Sequence, residues 1–194
     1  VVDAYNTSLT RSTPTALSSA RNRLAGASVG SYALFAGGYT GSYSNVVDAY
    51  NTSLTRSTPT ALSEARRYLA GASVGNYALF AGGYSYTVSS ASDIVDTYDT
   101  SLTRSGAIAL SVARRSLAGA SVGNYALFAG GYVGSASNVV DAYSLNIKAY
   151  IPVTQGSKYK FTEGSEQTAS TNTTLVYNQK VTGYVKYKKG KITM

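Results

Sequence analysis

The chain has 194 residues, a formal net charge of +8, and no Cys, His or Trp. Those absences exclude disulfides, thiolate and imidazole metal sites, cysteine nucleophiles and every His-based catalytic dyad. No segment reaches the roughly 20 apolar residues that span a bilayer as a helix, and no signal-peptide pattern is visible.

The charge is unevenly placed. Residues 1–144 hold nine Arg, no Lys and seven acids, a balance of +2, whereas 145–194 hold eight Lys, no Arg and two Glu, a balance of +6. Such a switch in basic residue type divides the chain into a repeat region, 1–146, and a Lys-rich appendage, 147–194.

The motif Val-Val-Asp-Ala-Tyr stands at Val1–Tyr5, Val46–Tyr50 and Val139–Tyr143, with Ile94–Tyr98 as a variant, at spacings of 45, 48 and 45 residues. Residues 1–18 are identical to 46–63. A period of about 40–50 residues suits the blades of a β-propeller. Four short strands are expected per unit. The first starts near Leu24, Leu69 and Leu117 and ends at a tight Gly-Ser or Gly-Asn hairpin, at Gly30, Gly75 and Gly123. The second is Tyr32–Gly38, Tyr77–Gly83 and Tyr125–Gly131, and the Val-Val-Asp-Ala-Tyr motif is the third. The fourth is expected at Thr13–Leu17, Thr58–Leu62 and Gly106–Leu110, with Pro14 and Pro59 tolerated inside it because it is an edge.

This count yields two complete units, a half unit at the start, and a third unit without a repeat-type last strand, a place open to Ile147–Val153. Closed propellers need four to eight blades. The array is therefore expected to be completed by further blades of a longer chain or by a homo-oligomer, the former preferred because Val1 falls inside a repeat. Residues 147–194 alternate as strands: Tyr159 and Phe161 against Lys158 and Lys160, then Val185 and Tyr187 against Tyr184, Lys186 and Lys188. A small β appendage of three to four strands is expected, with Glu163–Thr174 as a polar loop. Its basic run, Lys186, Lys188, Lys189 and Lys191 beside Tyr184 and Tyr187, has the composition of a single-strand platform. Strand alternation explains it as a solvated face, and no nucleic-acid partner is expected.

The order of Arg, hairpin, apolar strand closed by Gly-Gly, loop and Val-x-x-Tyr resembles the kelch repeat of β-propellers. The matching residues are Arg21, Arg66 and Arg114; Gly37-Gly38, Gly82-Gly83 and Gly130-Gly131; and Tyr5, Tyr50, Tyr98 and Tyr143. The resemblance covers about three quarters of the chain. It implies an all-β fold of kelch-like, four-stranded antiparallel blades, followed here by a small C-terminal β appendage. Where the family carries a Trp after the Tyr strand, this sequence has Arg11, Arg56 and Arg104. The near-identical units also resemble those of surface proteins from tailed phages and gut bacteria, which implies an extracellular, virion or cell-surface location.

Nearly identical repeats present each residue several times in equivalent places, whereas a catalytic centre needs unlike residues converging on one point. No nucleophile with a base, phosphate loop or acidic metal cluster is found, so no catalytic residue, metal or cofactor is expected. Asp3, Asp48, Asp96 and Asp141 recur in one strand and are expected to accept hydrogen bonds from backbone or Arg, with a cation-binding ring as the other reading. Variation is concentrated on one rim. The positions after the recurrent Arg read Asn22, Arg67, Arg115 and then Arg23, Tyr68, Ser116, and the loop between the second and third strands differs in each unit. Arg23, Tyr39, Tyr43, Arg67, Tyr68, Tyr84, Tyr86, Arg115 and Tyr132 are therefore the candidate ligand-binding residues. Tyr and Arg anchor binding surfaces, Tyr rings stack on sugars, and Arg forks grip carboxylates. The expected role is a non-catalytic module recognising a glycan or a protein through one propeller face. The alternatives are a propeller-type carbohydrate-active enzyme, with Glu64 the one distinct acid to nominate, and a purely structural component of a virion or assembly.

Overall fold

The computed structural model describes residues 1–153 and the strand segments 158–159, 167–168, 173–180, 186–188 and 191–193, with side chains described through residue 145. The chain is all-β over the described residues and divides into two units, Val1–Tyr143 and Ser144–Met194.

The first unit opens with a two-stranded ladder, β1 (Ala4–Tyr5) and β2 (Arg11–Ser12). The first full blade is β3 (Ala25–Val29), β4 (Tyr32–Ala36), β5 (Val47–Tyr50) and β6 (Arg56–Ser57), hydrogen-bonded in that order. There follow β7 (Arg66–Arg67), β8 (Ala70–Val74), β9 (Tyr77–Ala81), β10 (Tyr84–Ser85), β11 (Ser90–Ala91), β12 (Val95–Asp99) and β13 (Arg104–Gly106). Of these, β8-β9-β12-β13 form the second antiparallel blade and β7-β10-β11 a small sheet beside it. The third blade is β14 (Ala118–Val122), β15 (Tyr125–Ala129) and β16 (Val140–Ser144). The blade count expected from the repeat, one half, two full and one without its last strand, is what the sheets show.

The fourth strand is a correction. It occupies Arg11–Ser12, Arg56–Ser57 and Arg104–Gly106, so Pro14 and Pro59 lie outside it. Residues after it form the crossing to the next blade instead. A Tyr of that next blade holds each crossing by donating its hydroxyl to a backbone carbonyl: Tyr50 to Thr15 at 2.7 Å, Tyr98 to Thr60 at 2.8 Å, Tyr143 to Ile108 at 2.9 Å. Leu62 and Leu110 are buried in two of these crossings. Only isolated backbone bonds continue beyond the short strand, such as Leu62 N to the Asn45 carbonyl and Leu110 N to the Asp93 carbonyl, both at 2.8 Å, and Pro lacks the donor that would extend a ladder.

Each blade is cross-linked by its Asp. Asp48 accepts from Arg21 at 2.8 Å and Arg56 at 2.9 Å; Asp96 accepts from Arg66 at 2.5 Å and Arg104 at 3.1 Å. Ser18 and Ser63 add hydroxyl and backbone donors. The Arg that stands where the resemblance leads one to expect Trp thus bonds the third strand of its own blade. Asp48, Asp96, Arg21 and Arg66 have fully or almost fully buried side chains, an arrangement tolerable only because each charge is paired. Burial pulls Arg66 below the ordinary guanidinium pKa, against the pull of Asp96.

Neighbouring blades meet along their first strands. The backbone of Gly26 lies so close to Gly71, and that of Gly71 to Gly119, that a Cβ on Gly71 or Gly119 would overlap it. Beside this glycine column, the Ser28 amide donates to Ser73 Oγ at 3.2 Å and the Ser73 amide to Ser121 Oγ at 2.8 Å. The Gly-Gly pairs serve the same seam. Gly37 and Gly38 have φ of 68° and 107°, and the Gly38 amide donates to the Arg66 carbonyl of the next blade at 2.8 Å. The Asn-x-Ser triplets at Asn6 and Asn51 sit in the outer turn, where each Asn Oδ1 accepts two backbone amides, and Asp99 does the same in the second blade.

In the second unit, β17 (Asn146–Val153) pairs antiparallel with β20 (Thr173–Lys180), β18 (Lys158–Tyr159) with β19 (Gln167–Thr168), and β21 (Lys186–Lys188) with β22 (Lys191–Thr193). The described residues hold six strands where three to four were expected, the stretch expected as a loop contains β19, and β17 takes β20 as its partner. The side-chain alternation expected for 158–161 and 184–188 and the lysine run lie outside the described side chains.

A candidate recognition face

The connection entering each first strand and the loop between the second and third strands come together on one rim. Tyr84 pairs with Arg67 across β7-β10, and isolated bridges join Asn22 to Tyr39, Tyr39 to Tyr43, Arg115 to Tyr132 and Tyr132 to Ala136. Each of these pairings lies within one blade, and side chains stack from one blade to the next across the seams.

All nine candidate residues are in one continuous Arg/Tyr stack. The Arg23 guanidinium lies over Tyr39 at 5.6 Å and Tyr68 at 4.9 Å from the ring centres. Arg67 lies over four rings, Tyr39 at 4.9 Å, Tyr43 at 4.7 Å, Tyr68 at 5.4 Å and Tyr84 at 5.9 Å. Arg115 lies over Tyr84 at 5.1 Å and Tyr132 at 5.0 Å. Tyr43 also meets Tyr39, Tyr84 and Tyr86, with the Tyr86 centre 5.5 Å away. A guanidinium within about 6 Å of a ring centre is attracted by the ring quadrupole, so each Arg is held in place without a carboxylate. Among the described residues, the ion pairs use Arg11, Arg21, Arg56, Arg66, Arg104 and Arg114, and none uses Arg23, Arg67 or Arg115. Tyr86 and Tyr132 are exposed and the other rings half-buried, so the stack is a surface rather than a core.

The backbone beneath is strained in a way the sequence did not reveal. Arg23, Tyr68 and Ser116 have φ of 58°, 59° and 56°, a left-handed conformation that is unfavourable for residues with a Cβ. Hydrogen bonds between blades hold it: the Tyr68 amide donates to the Arg23 carbonyl at 2.9 Å, and the Ser116 amide to the Tyr68 carbonyl at 2.8 Å. Leu9, Leu54 and Leu102 adopt the same conformation in the outer turns, so the strain belongs to the repeat and not to the rim alone.

At the second seam the rim opens into a cleft of about 510 Å³ between Tyr84 and Ala91 of one blade and Val112, Ala113, Arg115 and Tyr132 of the next. Glu64, the acid nominated for a catalytic role, is half-buried and contributes to the field at Arg66. The recurrent Asp residues are held by Arg, Asp3 by Arg11 at the surface and Asp141 by Arg114, in place of the alternative cation ring. No group of three His, Cys, Asp or Glu side chains suited to a metal occurs among the described residues.

Fold and rim together define a protein of the all-β, propeller-blade class. No family model matches the sequence, and no curated protein matches it. Among solved structures the chain is similar to that of YjhT, with a TM-score of 0.63 at 14% identity over 74% of this chain. The match spans about half of that structure, 49%.

Proposed function

We propose that this chain is a non-catalytic recognition module: a kelch-like blade array of a phage tail or bacterial surface that binds an anionic glycan or protein segment through its Arg/Tyr rim. The observation that carries this reading is the set of three guanidiniums, Arg23, Arg67 and Arg115, each stacked on tyrosines and free of any carboxylate among the described residues. Ring stacking fixes the guanidinium plane but leaves its edge donors for a carboxylate, sulfate or phosphate. The buried acids of the blades are already paired, which supports recognition over turnover.

The test is binding to immobilised panels of acidic and neutral glycans and acidic peptides. The wild-type chain is expected to select anionic members and to weaken as ionic strength rises. Arg67→Ala with Tyr84→Ala is expected to lower that affinity at least tenfold. Unchanged binding by the double variant overturns the proposal, and consumption of a panel glycan would point to the carbohydrate-active alternative.

A further inference from the structure

The two seams of the rim are copies of one another that differ in two of the tyrosines around their guanidinium. At the first seam, Tyr39 and Tyr43 of one blade face Arg67 and Tyr84 of the next. At the second, Tyr84 and Ala91 face Arg115 and Tyr132. The strand pairing makes the equivalence explicit: Tyr43 is the partner of Tyr39, and Ala91 is the partner of Tyr84. Ala91 therefore stands where the first seam has a tyrosine. The ring that lies nearest to Arg67, at 4.7 Å, has no counterpart over Arg115. A second ring over Arg67 is also lost, because Ser116 replaces Tyr68, so Arg115 keeps two rings where Arg67 has four. Ala91 and Arg115 line a cleft of about 510 Å³, within the usual range of roughly 300–1,000 Å³ for ligand sites.

From this broken repeat we infer that the second-seam cleft is a slot for a tyrosine side chain presented by a partner polypeptide, seated over Arg115 as Tyr43 is seated over Arg67. The first seam is the same slot, filled from within. The walls fit a flat apolar ring better than a sugar. Ala91, Val112 and Ala113 line the cleft, and the hydroxyl of Tyr84 is already spent on the Ser89 carbonyl at 2.6 Å. A sugar ring needs several polar partners, whereas a phenol needs a cation face, apolar walls and an open end for its hydroxyl. The inference rests on the rim being the recognition face and names the group that this part of it takes.

The test uses p-cresol as the side-chain probe, titrated into the isotope-labelled full chain and followed by amide chemical shifts, with a methyl glycoside as comparator. In the wild type, p-cresol is expected to shift the amides of Ala91, Ala113 and Gly134 in one saturable event, and the glycoside to leave them unmoved. Ala91→Tyr fills the slot from within, as at the first seam, and is expected to weaken p-cresol binding at least tenfold. Tyr43→Ala opens the first seam and is expected to add a second set of shifts around Ala65, a gain that misfolding does not mimic. Equal p-cresol binding by wild type and Ala91→Tyr overturns the inference, as do an unchanged shift pattern in Tyr43→Ala and a cleft that takes the glycoside in preference. None of these arms alters Arg67 or uses the panel ligand, so the slot and the wider rim can fail independently.

Discussion

Asp96 sits at the crossing of two arginines, one wholly buried and one reaching solvent. Removing the acid strands Arg66 without its charge partner, so Asp96→Asn is expected to destabilise the fold by about 3–5 kcal/mol in urea unfolding. Arg104, with its side chain 30% exposed, contributes less, and Arg104→Gln is expected to stay within about 1 kcal/mol. The third blade should respond to pH at both ends. Burial pushes the Asp141 carboxyl up, but hydrogen bonds from Ser111 and Arg114 outweigh it and leave the pKa below the ordinary value. A depressed folded pKa adds stability that is complete above the unfolded value, about 3.9, and disappears as pH falls through the folded one. Tyr143 behaves in the opposite sense. Burial and then the Asp141 charge push its phenol up to about 12, so its contribution is whole below pH 10.0 and is lost as pH rises toward that figure. A circular-dichroism titration should therefore show the array losing stability in acid and in strong alkali, with Asp141→Asn flattening the acid limb.

The first strands show how small an element can be and still set the architecture. Gly71 carries no side chain because the neighbouring strand's backbone occupies that space, whereas Gly106 on an outer strand has nothing within 4 Å of a built Cβ. Gly71→Ala is expected to cost about 1–3 kcal/mol by forcing two blades apart. Gly106→Ala is expected to be close to neutral, and a pair of thermal melts separates the two. Much of this was legible in the sequence. The hairpins at Gly30 and Gly75, the glycine pairs and the Asp–Arg pairing all follow from residues whose chemistry admits few uses. The fourth strand was misplaced because Thr-Pro-Thr-Ala-Leu reads as extended whether or not it has a ladder partner, and only the hydroxyl of Tyr50 or Tyr98 decides that it is a crossing. The rim residues that variation and aromatic content marked in the loops lie together in the structure. The vacancy opposite Arg115 was not legible, because the three extra residues in the 85–93 loop hide the equivalence of Ala91 with Tyr43 until the strands are paired.

At the scale of the molecule, each blade of the first unit is stabilised by its own sheet and by the neighbours it touches. Stability in such arrays is close to a sum of nearest-neighbour terms. The second blade has a partner on both sides: its first strand alternates between buried and half-buried, whereas every residue of β14 is exposed. Hydrogen exchange is therefore expected to be slowest in β8 and β9 and markedly faster in β14, and equal protection across the three would show that the blades unfold as one block. The seam between blades also bears on heredity. Glycine meets glycine at both joints, Gly26 with Gly71 and Gly71 with Gly119. A recombination between the identical tracts 1–18 and 46–63 adds or deletes one whole period and regenerates the same joint. Blade number is thus free to drift between lineages while the join is inherited intact, and the loops on the rim are left as the part of the gene where copies diverge.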